Sequence, residues 1–260
     1  MMTVDKYLEV TELSGDEVTS EQIERMERRY HWVSSFVEGR DVLELGCGTG
    51  QGAGLLQTLA SHYVPSDTSG AMLDIARRHY GERIKFFQFD SQDIPLPDAS
   101  LDVVVVCEAL YYFSDVDSFF KSARRVLRPG GLLLIVTANK DLFDFNPSPH
   151  SHSYLGVLEL HRALIARGFN CQFFGDTPLG EVPPLQRVLR PIKALASRAG
   201  LLPKTMAGKK LLKRLVFGEL KPMPFELMPL AVAPAPPKPL SPDQADTQHK
   251  VIFCAAKLSA

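Results

Sequence analysis

Glycine recurs at alternate positions in one short stretch of this 260-residue chain, and that spacing is its clearest chemical signal. The glycines are Gly46, Gly48, Gly50 and Gly52. They follow the apolar segment Val42–Leu45, which predicts a tight exit from a buried strand where a ligand can approach the backbone. Gln51 stands where a dinucleotide fingerprint requires its third glycine, and no Gly-Lys-Ser or Gly-Lys-Thr triplet indicates a phosphate-binding loop. Two interpretations of the glycine spacing therefore remain: a turn that binds another class of ligand, or a packing turn that binds none.

Acidic residues follow two further predicted strands. Asp67 comes after His62–Pro65, about 20 residues beyond Gly46, where nucleoside-binding α/β folds place an acid on the ribose hydroxyls. Asp90 comes after the predicted strand Ile84–Phe89. Ligands of doubly wound sheets bind at the carboxyl ends of the strands, so both carboxylates are candidates for ligand contact. For Asp67 the alternative is a helix N-cap with no ligand.

Side chains suited to proton transfer follow the next predicted strand, Leu101–Cys107, whose four consecutive valines are typical of a central strand buried on both faces. The candidates are Tyr111, Tyr112, His150 and His152. Histidine has the pKa best suited to a general base. Each histidine also lies in a loop rich in proline and serine, where a solvated side chain is the alternative. The two histidines have only Asp144 nearby, and this spacing predicts no metal site.

Three ordered motifs carry a resemblance to a known family. They are Glu44-x-Gly46-x-Gly48-x-Gly50, Asp67-Thr-Ser-Gly-Ala-Met-Leu73, and Asp90-Ser-Gln-Asp-Ile-Pro-Leu-Pro97. Together they resemble the class I S-adenosylmethionine-dependent methyltransferases, over about Tyr30–Phe174 and the last strand. Gly70 replaces the proline usual in the second motif, which is a mild departure because only a turn is required there.

The resemblance implies S-adenosylmethionine as the cofactor and assigns contacts to it. In the family, the acid of the third motif accepts a hydrogen bond from the adenine amino group, which by position is Asp90, with the Ser91 N–H beside it. Glu44 would orient the turn and face the methionine ammonium, directly or through water. The full set of cofactor contacts is Glu44, Gly46, Cys47, Gly48, Gly50, Asp67, Thr68, Asp90, Ser91 and Glu108.

The elements that must position these residues form an α/β fold. The resemblance implies a doubly wound, seven-stranded, mostly parallel sheet whose last strand, His249–Ala256, is antiparallel. An N-terminal helix precedes the sheet, capped by Thr19 with Gln22 and running to about Phe36. The Arg28–Trp32 cluster in this helix has two interpretations, a helix edge packed on the sheet or a flap over the cofactor.

A helical insertion is predicted before the last strand. Residues 1–178 and 249–260 are assigned to the methyltransferase domain, and residues 179–248 to a basic helical lid with a proline-rich linker. Two amphipathic helices are predicted in it, Leu185–Ala199 and Met206–Phe217. Its basic residues have two interpretations, a solvated lid surface or contact with an anionic acceptor or with a membrane surface.

Composition limits the partners. The net charge is −1, which gives no nucleic-acid signal, and no apolar stretch has the length of a leader or a membrane span. The four cysteines are widely spaced, as expected of core thiols in a reducing compartment, so a cytoplasmic location is expected.

The predicted function is O-methylation of a small molecule, sugar or glycan precursor. The base- and glutamine-methylating signatures Asn-Pro-Pro-Tyr and Asp-Pro-Pro-Tyr are absent, while Glu108–Tyr112 is similar to small-molecule members. The segment Arg29–His31 is similar to methyltransferases found with bacterial surface-glycan biosynthesis. An alcohol acceptor needs a base, for which His150, His152 and Tyr111 are the candidates. N- or C-methylation of a metabolite, natural product or quinone-like lipid is the alternative, and a catalytically silent cofactor-binding subunit is another.

Overall fold

The computed structural model describes residues 13–178, 220–230 and 232–259. The two helices predicted at 185–199 and 206–217 lie outside the described residues. In chain order, the strands are β1 (Glu17–Val18), β2 (Asp41–Leu45), β3 (His62–Asp67), β4 (Phe87–Gln88), β5 (Leu101–Cys107), β6 (Leu127–Ala138), β7 (Phe169–Pro178), β8 (Lys221–Pro222), β9 (Lys238–Leu240) and β10 (His249–Leu258). The α-helices are α1 (Ser20–Ser34), α2 (Ala53–Leu59), α3 (Gly70–Tyr80), α4 (Val116–Val126) and α5 (Val157–Ile165).

The main sheet of the described residues has the strand order β4-β3-β2-β5-β6-β10-β7-β9. The first five strands of this order run parallel, and β10 is antiparallel to both β6 and β7. The predicted α/β class and the antiparallel last strand are therefore confirmed. The sheet has eight strands rather than seven because Lys238–Leu240 adds an antiparallel strand beside β7.

Strand β5 shows why the sheet is covered on both faces. Val103 and Val105 belong to one apolar cluster and Val104 and Val106 to another, and all four are completely buried. Successive side chains of a strand point to opposite faces, so a run without polar residues fits only a strand with helices on both sides.

Helix α1 packs across the end of the sheet next to the glycine loop. The Thr19 hydroxyl accepts a hydrogen bond from the Gln22 N–H, and the Gln22 side chain accepts one from the Thr19 N–H, which confirms the predicted capping box. The Trp32 ring lies 4.9 Å from the Phe253 ring, centroid to centroid. This packing fixes the helix against β10 and leaves another of its faces beside the strand ends.

Two predicted boundaries differ from the structure. The strand predicted at Ile84–Phe89 is hydrogen-bonded only at Phe87–Gln88, because it lies at the sheet edge with a single neighbour. The residues Arg128-Pro129-Gly130-Gly131, whose proline and glycines predict a turn, lie inside β6, where the pairing with β5 shifts between Leu101 and Val103. Gly130 accommodates this irregularity with a φ of +78°.

Residues 220–227 form a strap behind the glycine loop. Strand β8 pairs antiparallel with β1, and Met223 and Leu227 are buried in the core. The Leu227 N–H donates to the Gln51 carbonyl at 2.7 Å, and Glu226 forms an ion pair with Arg83. This part of the predicted insertion therefore packs on the glycine loop, while the division of the chain into domain and lid stays a prediction.

Gly52 tests the packing of α1 on the loop. A Cβ at this position would overlap the Tyr30 ring, whereas a Cβ at Gly70 would meet only the flexible Gln88 side chain, at 3.3 Å. We expect Gly52→Ala to lower the free energy of unfolding by about 1–3 kcal/mol, since overpacking forces side chains and backbone to shift. Gly70→Ala is the matched control and should be close to neutral. Urea unfolding measures both, and equal stability of the two variants would contradict the close contact.

Candidate functional site

A cavity of about 650 Å³ opens where the parallel strands end. Its wall includes the residues that follow β2, β3, β4 and β5, and it extends along β6 and β10 to one face of α1. Parallel strands bring their carboxyl ends to the same edge, so residues far apart in sequence meet here.

The four glycines of the loop have different roles. Gly46 and Gly48 line the cavity, whereas Gly50 is not among the lining residues. Gly48 has a φ of +58°, and its N–H donates to Asp67 Oδ2 at 2.9 Å. A Cβ at Gly50 would press on the rings of Tyr80 and Phe86, so this glycine serves the packing behind the loop.

Asp67 lines the cavity at the end of β3 and braces the loop. Besides the Gly48 N–H, its carboxylate accepts a hydrogen bond from the Ser69 N–H at 2.8 Å. The N-cap of α3 is Ser69, whose hydroxyl accepts from the Met72 N–H. The helix-cap alternative for Asp67 is therefore wrong, because the neighbouring serine has that role.

Asp90 and Ser91 bring the third motif to the same cavity, together with Thr68 and Cys47. The Asp90 carboxylate is exposed and accepts from the backbone and the side chain of Gln92. Ser91 is buried. The loop after β4 thus presents one exposed carboxylate at the cavity rim.

Glu44 lies behind the cavity wall and is not among the lining residues. Its carboxylate is fully buried and accepts hydrogen bonds from the hydroxyls of Tyr30, at 2.6 Å, and Tyr63. Burial raises the pKa of Glu44 although both tyrosine hydroxyls favour the charged form. In this structure the carboxylate ties α1 to β2 and β3, and its predicted contact with the cofactor stays a prediction.

Tyr111, Tyr112, Glu108 and His152 form another part of the cavity wall. The Tyr111 hydroxyl donates to Glu108 Oε2 at 2.9 Å, and its ring stacks on Tyr154 with the centroids 4.5 Å apart. Burial, and next the Glu108 charge, raise the pKa of Tyr111 well above its usual range. This tyrosine therefore stays protonated and is a poor base.

The two histidines separate in the structure. His152 lines the cavity, and its backbone N–H donates to the backbone carbonyl of Tyr111 at 2.8 Å. His150 is exposed, has a φ of +64° and is not among the lining residues. The loop that carries both histidines therefore brings only His152 beside Tyr111 and Tyr112 in the cavity wall.

Sequence reasoning missed three charged residues of the cavity wall, Arg25, Asp176 and Lys250. A fourth charged residue of the wall, Arg29, belongs to the Arg28–Trp32 cluster that the sequence singled out. Arg25 and Arg29 lie four residues apart in α1, a spacing that puts both on one helix face once the helix is identified. Asp176 and Lys250 reach the cavity through the pairing of β7 with β10, for which the sequence offers no local signal. Trp32 packs on Phe253, as the packing interpretation of the Arg28–Trp32 cluster expects, and the flap over the cofactor stays a prediction.

Within the described ranges, no helix has the length and apolarity to cross a membrane. In that same part of the chain, no three acidic, histidine or cysteine side chains are grouped as metal ligands.

Comparison with known proteins agrees with this geometry. Residues 43–135 match the family model described as a methyltransferase domain. A probable S-adenosylmethionine-dependent methyltransferase of Mycolicibacterium smegmatis is 35% identical over 152 residues, 57% of this chain and 59% of that protein. A fatty-acid O-methyltransferase of the same organism is 39% identical over 39% of this chain and 38% of its own. The crystal structure of a SAM-dependent methyltransferase from Archaeoglobus fulgidus has the same fold, with a TM-score of 0.57 at 16% identity over 90% of this chain and 94% of that one.

The fold and the match over residues 43–135 define a Rossmann-like methyltransferase domain. The relatives that match this chain include S-adenosylmethionine-dependent methyltransferases. The chain spans about three fifths of the length of one of these curated relatives and less than half of the other.

Tyr30→Phe tests the buried carboxylate. The raised folded-state pKa of Glu44 means that its contribution to stability is fully present below the unfolded pKa, about 4.3, and is lost as the pH rises through the folded pKa. Removing the Tyr30 hydroxyl raises the folded pKa further, because that hydroxyl favours the charged form. We expect Tyr30→Phe to lower the free energy of unfolding by about 1–3 kcal/mol at pH 8 and by less at pH 5, measured by urea unfolding.

Tyr80→Phe is the matched control for this pair of measurements. The Tyr80 hydroxyl bonds only backbone groups, the carbonyl of Gly50 and the N–H of Gly54. Its loss should cost the same at both pH values. A Tyr30→Phe loss that did not change with pH would contradict a change in the protonation state of Glu44 between pH 5 and pH 8.

Proposed function

We propose that this protein binds S-adenosylmethionine and transfers its methyl group to an oxygen of a small molecule, sugar or glycan precursor. The observation that carries the proposal is that two chemically different sets of residues line one cavity. One set is the glycine loop with Asp67 and Asp90, and the other includes Tyr111 and His152.

The donor set suits the cofactor. A ribose diol needs a carboxylate acceptor, for which Asp67 lies at the end of β3. The adenine edge needs an acceptor and an N–H, for which Asp90 and Ser91 are the candidates. Gly46 and Gly48 bring bare backbone to the cavity wall, so the ligand can approach closely.

Bound S-adenosylmethionine supplies an electrophilic methyl group on a sulfonium. The residues of this chain hold the two partners in line, which is where most of the rate enhancement in such a displacement arises. The new bond joins the methyl carbon to the acceptor oxygen, and the hydroxyl proton must leave. His152 is the candidate to take it, because it lines the cavity and histidine is the side chain type best suited to a general base. Tyr111 and Glu108 would position the acceptor.

A lipid-type acceptor fits the same proposal, since one relative is a fatty-acid O-methyltransferase. A nitrogen acceptor would depend less on a general base than an alcohol does, and a carbon acceptor would depend on one in a different way. Peripheral membrane contact through the basic segment before β8 stays a prediction, and so does a cytoplasmic location. Nothing in the charge balance favours nucleic acid as a partner.

Calorimetry tests cofactor binding. We expect S-adenosylmethionine and S-adenosylhomocysteine to bind the purified protein with similar affinity, since the loop, Asp67 and Asp90 contact parts common to both. Asp67→Ala should weaken binding by about tenfold to a hundredfold, because a hydrogen bond to a charged group contributes about 1.5–3 kcal/mol. Asp90→Ala should behave similarly. Asp74→Ala, on the exposed surface of α3, is the matched control. No heat with either ligand on folded protein would overturn the proposal.

The two histidines test the acceptor chemistry. His152→Ala should lower kcat by about 10²–10⁴-fold without changing S-adenosylhomocysteine affinity, as expected for loss of a general base. His150→Ala, two residues away and outside the cavity wall, should keep near-native kcat. Single-turnover assays with a methylated acceptor identified by mass spectrometry measure both. Equal kcat in the two variants would point to an amine acceptor or to another proton partner.

A further inference from the structure

The end of the cavity beside α1 has an apolar floor. It consists of two cross-strand pairs of β6 and β10, Val136 with Phe253 and Ala138 with Val251. Each pair lies directly across the antiparallel ladder, and the two pairs are two residues apart, so all four side chains share one face of the sheet. A floor of this kind suits a hydrocarbon portion of a ligand rather than a sugar ring.

Helix α1 forms another part of the wall. The helix residues that line the cavity are Gln22, Arg25, Met26, Arg29 and Tyr30, of which the first four follow the i, i+3, i+4, i+7 spacing of a single face. Two arginines one turn apart therefore line the same cavity as the apolar floor, with Met26 between them in sequence.

The charges at this end are unevenly compensated. The Arg28 side chain donates to Asp176, and Lys250 pairs with Glu21. Arg29 interacts electrostatically with the buried Glu44 carboxylate, whose pKa burial raises overall. The Nε atom of Arg25 is buried and has no hydrogen-bond partner in the described part of the chain. A buried donor without an acceptor costs about 1–3 kcal/mol, so such an atom calls for an explanation.

We propose that this end is an acceptor subsite for an amphiphilic organic anion, whose acid group is bound by Arg25 and whose apolar chain lies on the Val136–Phe253 and Ala138–Val251 floor. This inference rests on the proposed function, because it concerns the acceptor of that reaction. A planar guanidinium binds carboxylate and phosphate groups through paired N–H donors, so the shared chemistry is that of an oxyanion.

The experiment uses the full chain saturated with S-adenosylhomocysteine. Three probes with the same alkyl chain are titrated by calorimetry: octanoate, octyl phosphate and octanol. We expect at least one of the two anions to bind more tightly than octanol. The preferred anion identifies a carboxylate or a phosphate as the acid group.

Arg25→Gln should lower the affinity for the preferred anion by about tenfold to a hundredfold, which is the loss expected for a charge-assisted hydrogen bond. Octanol affinity should change by less than about threefold, because the floor is intact. Arg25→Lys should recover part of the anion affinity, since it keeps the charge but loses the planar fork. Arg124→Gln, on the exposed surface of α4 and outside the cavity wall, is the matched control.

Anion affinity that matches octanol affinity, or that survives Arg25→Gln unchanged, would overturn the subsite. So would the absence of probe binding in protein that binds S-adenosylhomocysteine, whereas failure to bind that compound would overturn the proposed function itself. If Arg25→Gln does not fold, the salt dependence of the unmodified protein decides. A higher NaCl concentration should lower the affinity for the anion and leave the affinity for octanol unchanged. Equal responses of the two affinities would contradict an ionic contact.

Discussion

The buried carboxylate of Glu44 is the interaction on which the rest of the structure depends. A carboxylate removed from water is costly unless hydrogen bonds replace its hydration. Here the donors are Tyr30 from α1 and Tyr63 from β3, while Glu44 itself belongs to β2. Three elements must therefore be in register before this group is satisfied. The Tyr30 ring also covers Gly52, so the same contact fixes the helix over the loop that forms the cofactor end of the cavity.

Much of the fold could be predicted from local patterns. The valine run of β5, the capping box of Thr19 and the glycine spacing each depend on neighbours within a few residues, and each has the predicted structure. Asp67 and Asp90 follow their strands and line the cavity as expected. Their position depends only on strand order, which the ordered motifs of the family imply.

The rest depends on contacts between distant parts of the chain. Ser69 rather than Asp67 caps α3, a choice between two good capping residues that only the backbone geometry decides. Glu226 reaches Arg83 from a segment that reads as a proline-rich linker. Arg25 reads as one of many solvated charges in a polar helix, and its place in the cavity wall becomes visible only when α1 is packed beside β10. Sequence periodicity shows that two helix residues share a face but not what that face meets.

The two edges of the sheet have a consequence for self-association. At one edge β4 is only two residues long, and at the other β9 is Lys238-Pro239-Leu240. Proline has no N–H to offer a further strand, and a lysine beside it makes close approach of another chain unfavourable. Long apolar strands such as β5 and β10 are thereby kept in the middle of the sheet. Among the described residues, neither edge of the sheet is a template for edge-to-edge aggregation.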